Sequence, residues 1–128
     1  MRYLLDTHTY YWFRQSPAQL PPRIISLLTD AKTEILVSPV IPWELSIKVS
    51  IGKLDAMELL VDFELRETAA GLSLITINTA EVIRSGLLPS HHRDPFDRLL
   101  IAQSLTLNAP ILSADTIFDR YGVQRIWN

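Results

Sequence analysis

The sequence predicts an α/β fold in which helices sandwich a central, mainly parallel sheet of four to five strands. Two observations predict it. Segments with strand character alternate regularly with segments of helical character along the 128 residues. The strand segments are also uninterrupted apolar runs, which is typical of strands that are buried on both faces between layers of helices.

Five short apolar runs are predicted as strands, at residues 3–5, 35–38, 74–77, 111–113 and 123–127. Helices are predicted over residues 9–14, 40–51, 55–68, 79–87 and 94–108, with a further one that opens at Pro21-Pro22. Proline fits only the first turn of a helix, which places helix starts near Pro22, Pro42 and Pro95. Gly52 and Gly71 favour helix ends shortly before them.

The composition excludes several classes of protein. Twelve Lys and Arg against fourteen Asp and Glu give a net charge of −2, which excludes a uniformly basic nucleic-acid clamp but leaves a basic patch open. The absence of cysteine excludes a disulfide scaffold, a thiolate zinc site and a cysteine nucleophile. No apolar run reaches membrane-spanning length, and Asp6 comes too early for a signal peptide. We therefore expect one cytoplasmic domain over residues 1–128, without a membrane partner.

Four acidic residues are expected at one edge of the sheet. Asp6 follows the first predicted strand and Asp115 the fourth, and open parallel sheets bind ligands beyond the carboxyl ends of their strands. Glu44 and Asp97 are expected in the first turns of helices, where the helix dipole favours a carboxylate by about 0.3–1 kcal/mol. Residues 99–114 carry no charge, so the helix that begins beside Asp97 should be buried. Gathered carboxylates are the ligands that Mg²⁺ or Mn²⁺ prefers.

Each acid also has a purely structural interpretation. Asp6 and Asp115 would cap the helices that follow them, and Asp94 before Pro95 would do the same. Asp97 would complete a capping-box-like pair with Asp94. Four further acids are expected on a solvated helix face, namely Glu58, Asp62, Glu64 and Glu67. It is the coincidence of four acids on one edge that favours a functional site.

Four motifs resemble those of the PIN domain family, and they are spread over nearly the whole chain. They are Leu4-Leu5-Asp6-Thr7-His8, Ser38-Pro39-Val40-Ile41-Pro42-Trp43-Glu44, His92-Arg93-Asp94-Pro95-Phe96-Asp97-Arg98-Leu99-Leu100-Ile101-Ala102-Gln103 and Leu112-Ser113-Ala114-Asp115. The third motif is the most specific and is similar to the bacterial VapC-type subgroup. The resemblance implies a PIN-like three-layer α/β/α sandwich.

The resemblance further implies a ribonuclease that uses one or two Mg²⁺ or Mn²⁺ ions. It implies the toxin of a type II toxin–antitoxin pair, which a cognate antitoxin inhibits and which forms a homodimer. The catalytic and metal-binding acids of the family correspond here to Asp6, Glu44, Asp97 and Asp115. Asp94 and Thr7 are candidates for a supporting role beside them, and Ser113 is expected to order Asp115 or a water molecule.

Basic and aromatic side chains supply candidates for binding RNA or a protein partner. Arg14, Arg93 and Arg98 would meet RNA phosphates, or lie as ordinary surface arginines. His91 and His92 would contact the substrate, or be ordinary loop histidines. The aromatic run at residues 10–13 is too large for one short helix to bury easily, so we expect it to stack on bases or accept a partner's helix, with the core as the alternative.

Two other functions share this pattern of acids. A phosphatase or receiver-type domain also gathers acids at strand ends. A receiver needs a lysine directly after a strand, which Lys32, Lys48 and Lys53 do not provide, and such a phosphatase needs an acid where His8 stands. A non-catalytic binding module of the same fold remains the main alternative. The lack of a glycine-rich phosphate loop argues against a nucleotide-binding enzyme.

Overall fold

A computed structural model describes all 128 residues of the chain. Five strands form a single sheet in the order β3-β2-β1-β4-β5, and every neighbouring pair runs parallel. Their bounds are Arg2–Leu5 for β1, Glu34–Val37 for β2, Ser73–Leu74 for β3, Ile111–Leu112 for β4 and Arg125–Ile126 for β5. The sheet confirms the predicted fold class, strand number and strand direction.

Helices separate most of the strands. The six α-helices are α1 at Thr7–Gln15, α2 at Pro22–Thr29, α3 at Val40–Ser50, α4 at Phe63–Ala69, α5 at Thr79–Gly86 and α6 at Pro95–Leu107. Three 3₁₀-helices lie at Pro17–Gln19, Met57–Leu59 and Thr116–Tyr121. None of these helices has the length and apolar character needed to cross a membrane.

Successive residues of each strand pack into two separate cores, one on each face of the sheet. In β1, Leu5 joins a core with side chains from α1 and α2, whereas Leu4 joins a core with side chains from α6. In β2, Leu36 points to the opposite side from Ile35 and Val37. This alternation follows from the two-residue period of a strand. The result is the predicted three-layer α/β/α arrangement.

The strand order places a ligand crevice beside the central strand. β1 lies between β2 and β4, so the chain leaves β1 toward one side of the sheet and later returns to its other side. In open parallel sheets, such a reversal opens a crevice at the carboxyl ends of the strands. Asp6 directly follows β1 and Asp115 follows β4, so both stand at this crevice.

The helix predicted over residues 55–68 is broken in the structure, which corrects that prediction. A single 3₁₀ turn at Met57–Leu59 precedes α4, and between them Asp62 has a left-handed φ of 52°. The guanidinium of Arg66 donates to the carbonyl oxygens of Leu59 and Val61, and so holds the break from within α4. The third strand is also shorter than predicted, because only Ser73–Leu74 pairs at this edge of the sheet.

Glu67 lies in the core rather than on the predicted solvated face. Its carboxylate accepts hydrogen bonds from the Tyr10 hydroxyl and from the guanidinium of Arg14, and Arg66 lies 3.4 Å away. Burial alone would raise the pKa of Glu67, but the hydrogen bonds from Arg14 and Tyr10 outweigh it and lower that pKa. Periodicity missed this network because its partners lie on α1, more than fifty residues away.

Candidate functional site

A polar cavity of about 240 Å³ opens at the crevice, and none of its lining residues is hydrophobic. It is lined by Asp6, Thr7, His8, Glu44, Lys48, His92, Asp94, Asp97 and Asp115. The structure therefore brings together the four acids that were expected at one edge, together with Asp94 and Thr7. The fold gathers them from four separate parts of the chain: the ends of β1 and β4, the body of α3 and the start of α6.

Asp6 lines the cavity and also caps α1. Its Oδ1 accepts a hydrogen bond of 2.8 Å from the backbone N–H of Thr9, so the capping interpretation and the cavity position both hold. Asp6 is only 5% exposed. Burial raises its pKa above the ordinary value, and interactions with Ser113 and Thr9 oppose that rise.

Asp115 stands at the exposed rim on the β4 side. It caps the 3₁₀-helix at Thr116–Tyr121, since its Oδ1 accepts a 3.0 Å hydrogen bond from the N–H of Ile117. The buried hydroxyl of Ser113 accepts a 3.0 Å hydrogen bond from the backbone N–H of Asp115. Ser113 therefore orders the backbone that carries Asp115.

Glu44 lies in the second turn of α3, not in the first turn as predicted, because the helix begins at Val40. The helix dipole therefore does little for this carboxylate. Instead, Glu44 Oε2 lies 2.9 Å from the ammonium nitrogen of Lys48, one turn further along α3. Its other oxygen, Oε1, is buried and has no hydrogen-bond partner, and the same is true of the Thr7 hydroxyl. Two residues that line this cavity thus each carry a buried oxygen atom without a partner.

A histidine and two aspartates form the tightest group in the cavity. Donor atoms of His92, Asp94 and Asp97 all lie within 4.8 Å of one another. His92 Nε2 and Asp97 Oδ2 are 2.7 Å apart, while Asp94 Oδ1 caps α6 by accepting from the N–H of Phe96 at 2.9 Å. Burial raises the pKa of Asp97, the His92 contact lowers it, and the nearby charges of Asp94 and Asp6 raise it. The net effect is a pKa of about 6.

The guanidinium of Arg98 is engaged by the chain itself. Its guanidinium donates to the carbonyl oxygens of Leu88 at 2.8 Å, Pro89 at 2.9 Å and His92 at 3.0 Å. It therefore holds the loop that delivers His92 to the cavity. Arg14 is likewise engaged, with the buried Glu67. Arg93 is exposed and stays a candidate for contacting phosphate.

Sequence reasoning assigned no role at the site to two residues that line the cavity. Lys48 follows Glu44 by four residues, and this spacing places the two side chains on one helix face, so the pattern held a usable signal. His8 follows Asp6 by two residues and lies in the first turn of α1.

The aromatic run at residues 10–13 is only partly buried in the core. Tyr10 is fully buried there, whereas Tyr11, Trp12 and Phe13 are half-buried.

The chemistry of the cavity fits a divalent cation. Five carboxylates share the cavity with three basic side chains, those of His8, Lys48 and His92, so acidic groups outnumber basic ones there. The orphaned Oε1 of Glu44 and hydroxyl of Thr7 are oxygen atoms that lack a partner, as unfilled ligands or water acceptors would. Oxygen donors of this kind suit Mg²⁺ and Mn²⁺.

The fold has counterparts among solved structures. The structure of VapBC2 from Rickettsia felis, bound to a DNA fragment from its promoter, aligns with a TM-score of 0.74, 20% identity and full coverage of both chains. VapBC-1 from nontypeable Haemophilus influenzae aligns with a TM-score of 0.66 and 20% identity over 98% of this chain and 97% of that one. FitAcB from Neisseria gonorrhoeae aligns with a TM-score of 0.66 and 16% identity over 98% of this chain and 96% of that one.

Similarity in sequence is more limited than similarity in fold. Among curated proteins, none matches this chain. The family comparison is decisive, however, because residues 3–124 match the model of the PIN domain. That range contains every strand residue except Arg2 of β1 and the two of β5, and all nine residues that line the polar cavity. The chain belongs to the PIN domain family.

Proposed function

We propose that this protein is a Mg²⁺- or Mn²⁺-dependent endoribonuclease. The single observation that carries the proposal is the polar cavity at the switch of strand order, where Asp6, Glu44, Asp97 and Asp115 converge. Membership of the PIN domain family supports a nuclease. The metal requirement and the choice of RNA are our inference from the carboxylates and from the orphaned oxygen of Glu44.

The carboxylates of Asp6, Asp97 and Asp115 would hold one or two ions, with Glu44 as a further ligand or as the acceptor that orients a water molecule. Bound there, a divalent cation lowers the pKa of water and stabilises charge on the phosphoryl oxygens. His92 fixes the orientation of the Asp97 carboxylate through its 2.7 Å contact. Lys48, at the cavity wall, supplies a cation for a phosphate oxygen. In the hydrolysis, the oxygen of a water molecule forms a bond to phosphorus as the bond to one ribose oxygen breaks. The water gives up a proton, and the leaving ribose oxygen takes up a proton and departs as a hydroxyl group.

We further propose that the protein is the toxin of a type II toxin–antitoxin pair, acting on RNA in the cytoplasm. The support is its fold, which is shared with chains in VapBC and FitAcB structures. A cognate antitoxin would inhibit it by covering the polar cavity. We also propose a homodimer. An exposed apolar stripe, formed by Trp43 and Ile47 of α3 and by Ile51 directly after its last residue, gives a second copy a surface to cover. Light scattering of the purified protein measures its mass directly.

Cleavage of total cellular RNA by the purified chain tests the enzymatic proposal. We expect fragments with Mn²⁺ or Mg²⁺, none with EDTA, and at least a hundredfold slower cleavage by Asp6→Asn and Asp97→Asn. Asp119→Asn is the matched control, because Asp119 is an exposed aspartate that pairs with Arg125 outside the cavity. Equal cleavage by all four proteins would mean a contaminating nuclease. Metal binding by a folded protein without cleavage would favour the binding module.

A further inference from the structure

A second cavity lies directly beside the polar one, between α1 and α3. It has a volume of about 190 Å³. Thr7, His8 and Lys48 line both cavities, so the two are contiguous. The remaining wall is different in character, because it is formed by the side chains of Tyr11, Trp12 and leucines of α3 and its following loop. An aromatic pocket therefore opens off the acidic one.

The aromatic wall is held in place from two sides. The ring of Trp12 lies 5.5 Å from that of His8 and 6.0 Å from that of Trp127, measured between centroids. Trp12 is half-buried and packs against the core, whereas His8 is exposed. A fixed indole with one partly open side is a platform on which a flat ring can stack, and stacking on aromatic side chains is how proteins bind unpaired bases.

Polar groups stand where the two cavities meet. The hydroxyl of Thr7 is buried, has no partner, and belongs to a residue only 5% exposed. The ammonium group of Lys48 lies at the same junction, 2.9 Å from Glu44. A nucleotide has the matching arrangement, with a flat base, a polar edge and an adjoining phosphate. An apolar peptide side chain would make no use of the Lys48 ammonium group or the His8 ring, which line both cavities.

We infer that this pocket binds one nucleobase of the RNA, adjacent to the phosphate that is cleaved. The base stacks on Trp12, the exposed His8 ring meets its polar edge, and Lys48 contacts the phosphate between pocket and acids. The inference rests on the proposed ribonuclease function and names the part of the substrate that this surface recognises. The pocket is too small for a drug-sized ligand, whose sites reach about 300–1,000 Å³, and suits a single ring system.

Mapping the cleaved ends of a random-sequence RNA pool tests the inference in the active protein. We expect the wild type to prefer one base next to the cut, and Trp12→Leu to lose that preference with a KM about tenfold higher. Trp12→Phe should restore most of it, because it restores an aromatic face. Leu54→Phe should act like Trp12→Leu by filling the pocket without touching an acid. Trp127→Leu controls for lost packing behind Trp12.

If the base preference and the KM are unchanged in both Trp12→Leu and Leu54→Phe, the inference is overturned and the ribonuclease proposal stays intact. A protein partner would then be the occupant of the pocket.

A second measurement needs no cleavage. The chain has three tryptophans, so the double variant W43F/W127F keeps Trp12 as the only tryptophan, whose fluorescence is excited selectively above the absorption of tyrosine. We expect saturable quenching by one of AMP, GMP, CMP or UMP, and none by ribose 5-phosphate.

The two measurements separate the two proposals. Quenching by a nucleotide in a protein that cleaves no RNA under any metal condition would contradict the nuclease and support the base pocket. Cleavage without quenching, and with an unchanged base preference, would contradict the pocket alone. The absence of both cleavage and quenching would contradict both proposals.

Discussion

His92 Nε2 lies 2.7 Å from Asp97 Oδ2, and this contact joins the loop before α6 to the first turn of that helix at the wall of the polar cavity. His92 is the one residue of the tightest group in the cavity that is not an acid. A hydrogen bond to a carboxylate fixes which of its oxygen atoms faces a ligand. The relationship therefore bears on metal binding as well as on local stability.

Replacing His92 should weaken metal binding. We expect His92→Ala to lower the affinity for Mn²⁺ by roughly 10–100-fold, the usual effect of removing a group that orients a metal ligand. Isothermal titration of the purified protein with Mn²⁺ measures this. His91→Ala is the matched control, because His91 is exposed and packs on Tyr121 rather than on an acid. Equal affinities in the two variants would contradict the role given to His92.

The metal-free protein should lose stability as pH rises through the range where Asp97 ionises. Its pKa in the folded state is about 6 against an ordinary value of 3.8, so the folded protein holds this proton more tightly than the unfolded chain. The stabilisation is complete below pH 3.8 and is lost as pH rises through about 6. Thermal unfolding of wild type and Asp97→Asn across this range measures it. The Tm of Asp97→Asn should lack the part of the pH dependence that comes from ionisation of Asp97.

A divalent cation should reverse that loss. At a concentration one hundred times its Kd, a bound ion stabilises the folded state by about 2.7 kcal/mol, which is about 10 °C in Tm for a chain of this size. We expect such a rise with Mn²⁺ at pH 7.5 and little at pH 4.5, where protons compete for the carboxylates. EDTA should return the Tm to its metal-free value. A rise of equal size at both pH values would mean binding elsewhere.

Arg98 should act through the loop that it holds and not through the substrate. Arg98→Ala leaves the carbonyl groups of Leu88, Pro89 and His92 without their donor, so we expect about 1–3 kcal/mol of lost stability and weaker Mn²⁺ binding. Urea unfolding and Mn²⁺ titration measure the two effects. Arg93→Ala should leave both unchanged, because Arg93 is exposed and makes no such bonds. If Arg98→Ala alters only the KM for RNA, then the side chain binds substrate after all.

Glu67 should be important for stability and unimportant for chemistry. Glu67→Ala leaves Arg14 and the Tyr10 hydroxyl without their acceptor, and breaking such a network costs about 2–4 kcal/mol. Urea unfolding measures the loss. Glu64→Ala is the control, since Glu64 is an exposed acid on the same helix. The Mn²⁺ affinity of folded Glu67→Ala should equal that of the wild type, and a change there would contradict the separation of the two networks.

Much of the fold was readable from local patterns because local physics controls it. Apolar runs defined all five strands to within a few residues, and Pro22 and Pro95 marked helix starts within one residue. The two failures arise from interactions that are distant or conformationally unusual. The break before α4 depends on a left-handed Asp62, and the burial of Glu67 depends on cations and a hydroxyl brought from α1 and from its own helix.

By itself, the sequence determined the fold class, the position of Asp6 and Asp115 after strands, and the family motifs. The residues of a strand end or of a family motif are neighbours in the chain, so a local sequence pattern is enough to identify them. Only the tertiary structure decided that His92 reaches Asp97 and that Arg98 binds its own loop. Each of those facts depends on where a helix starts or how a loop folds back, and side-chain contacts are set by that geometry rather than by spacing in the chain.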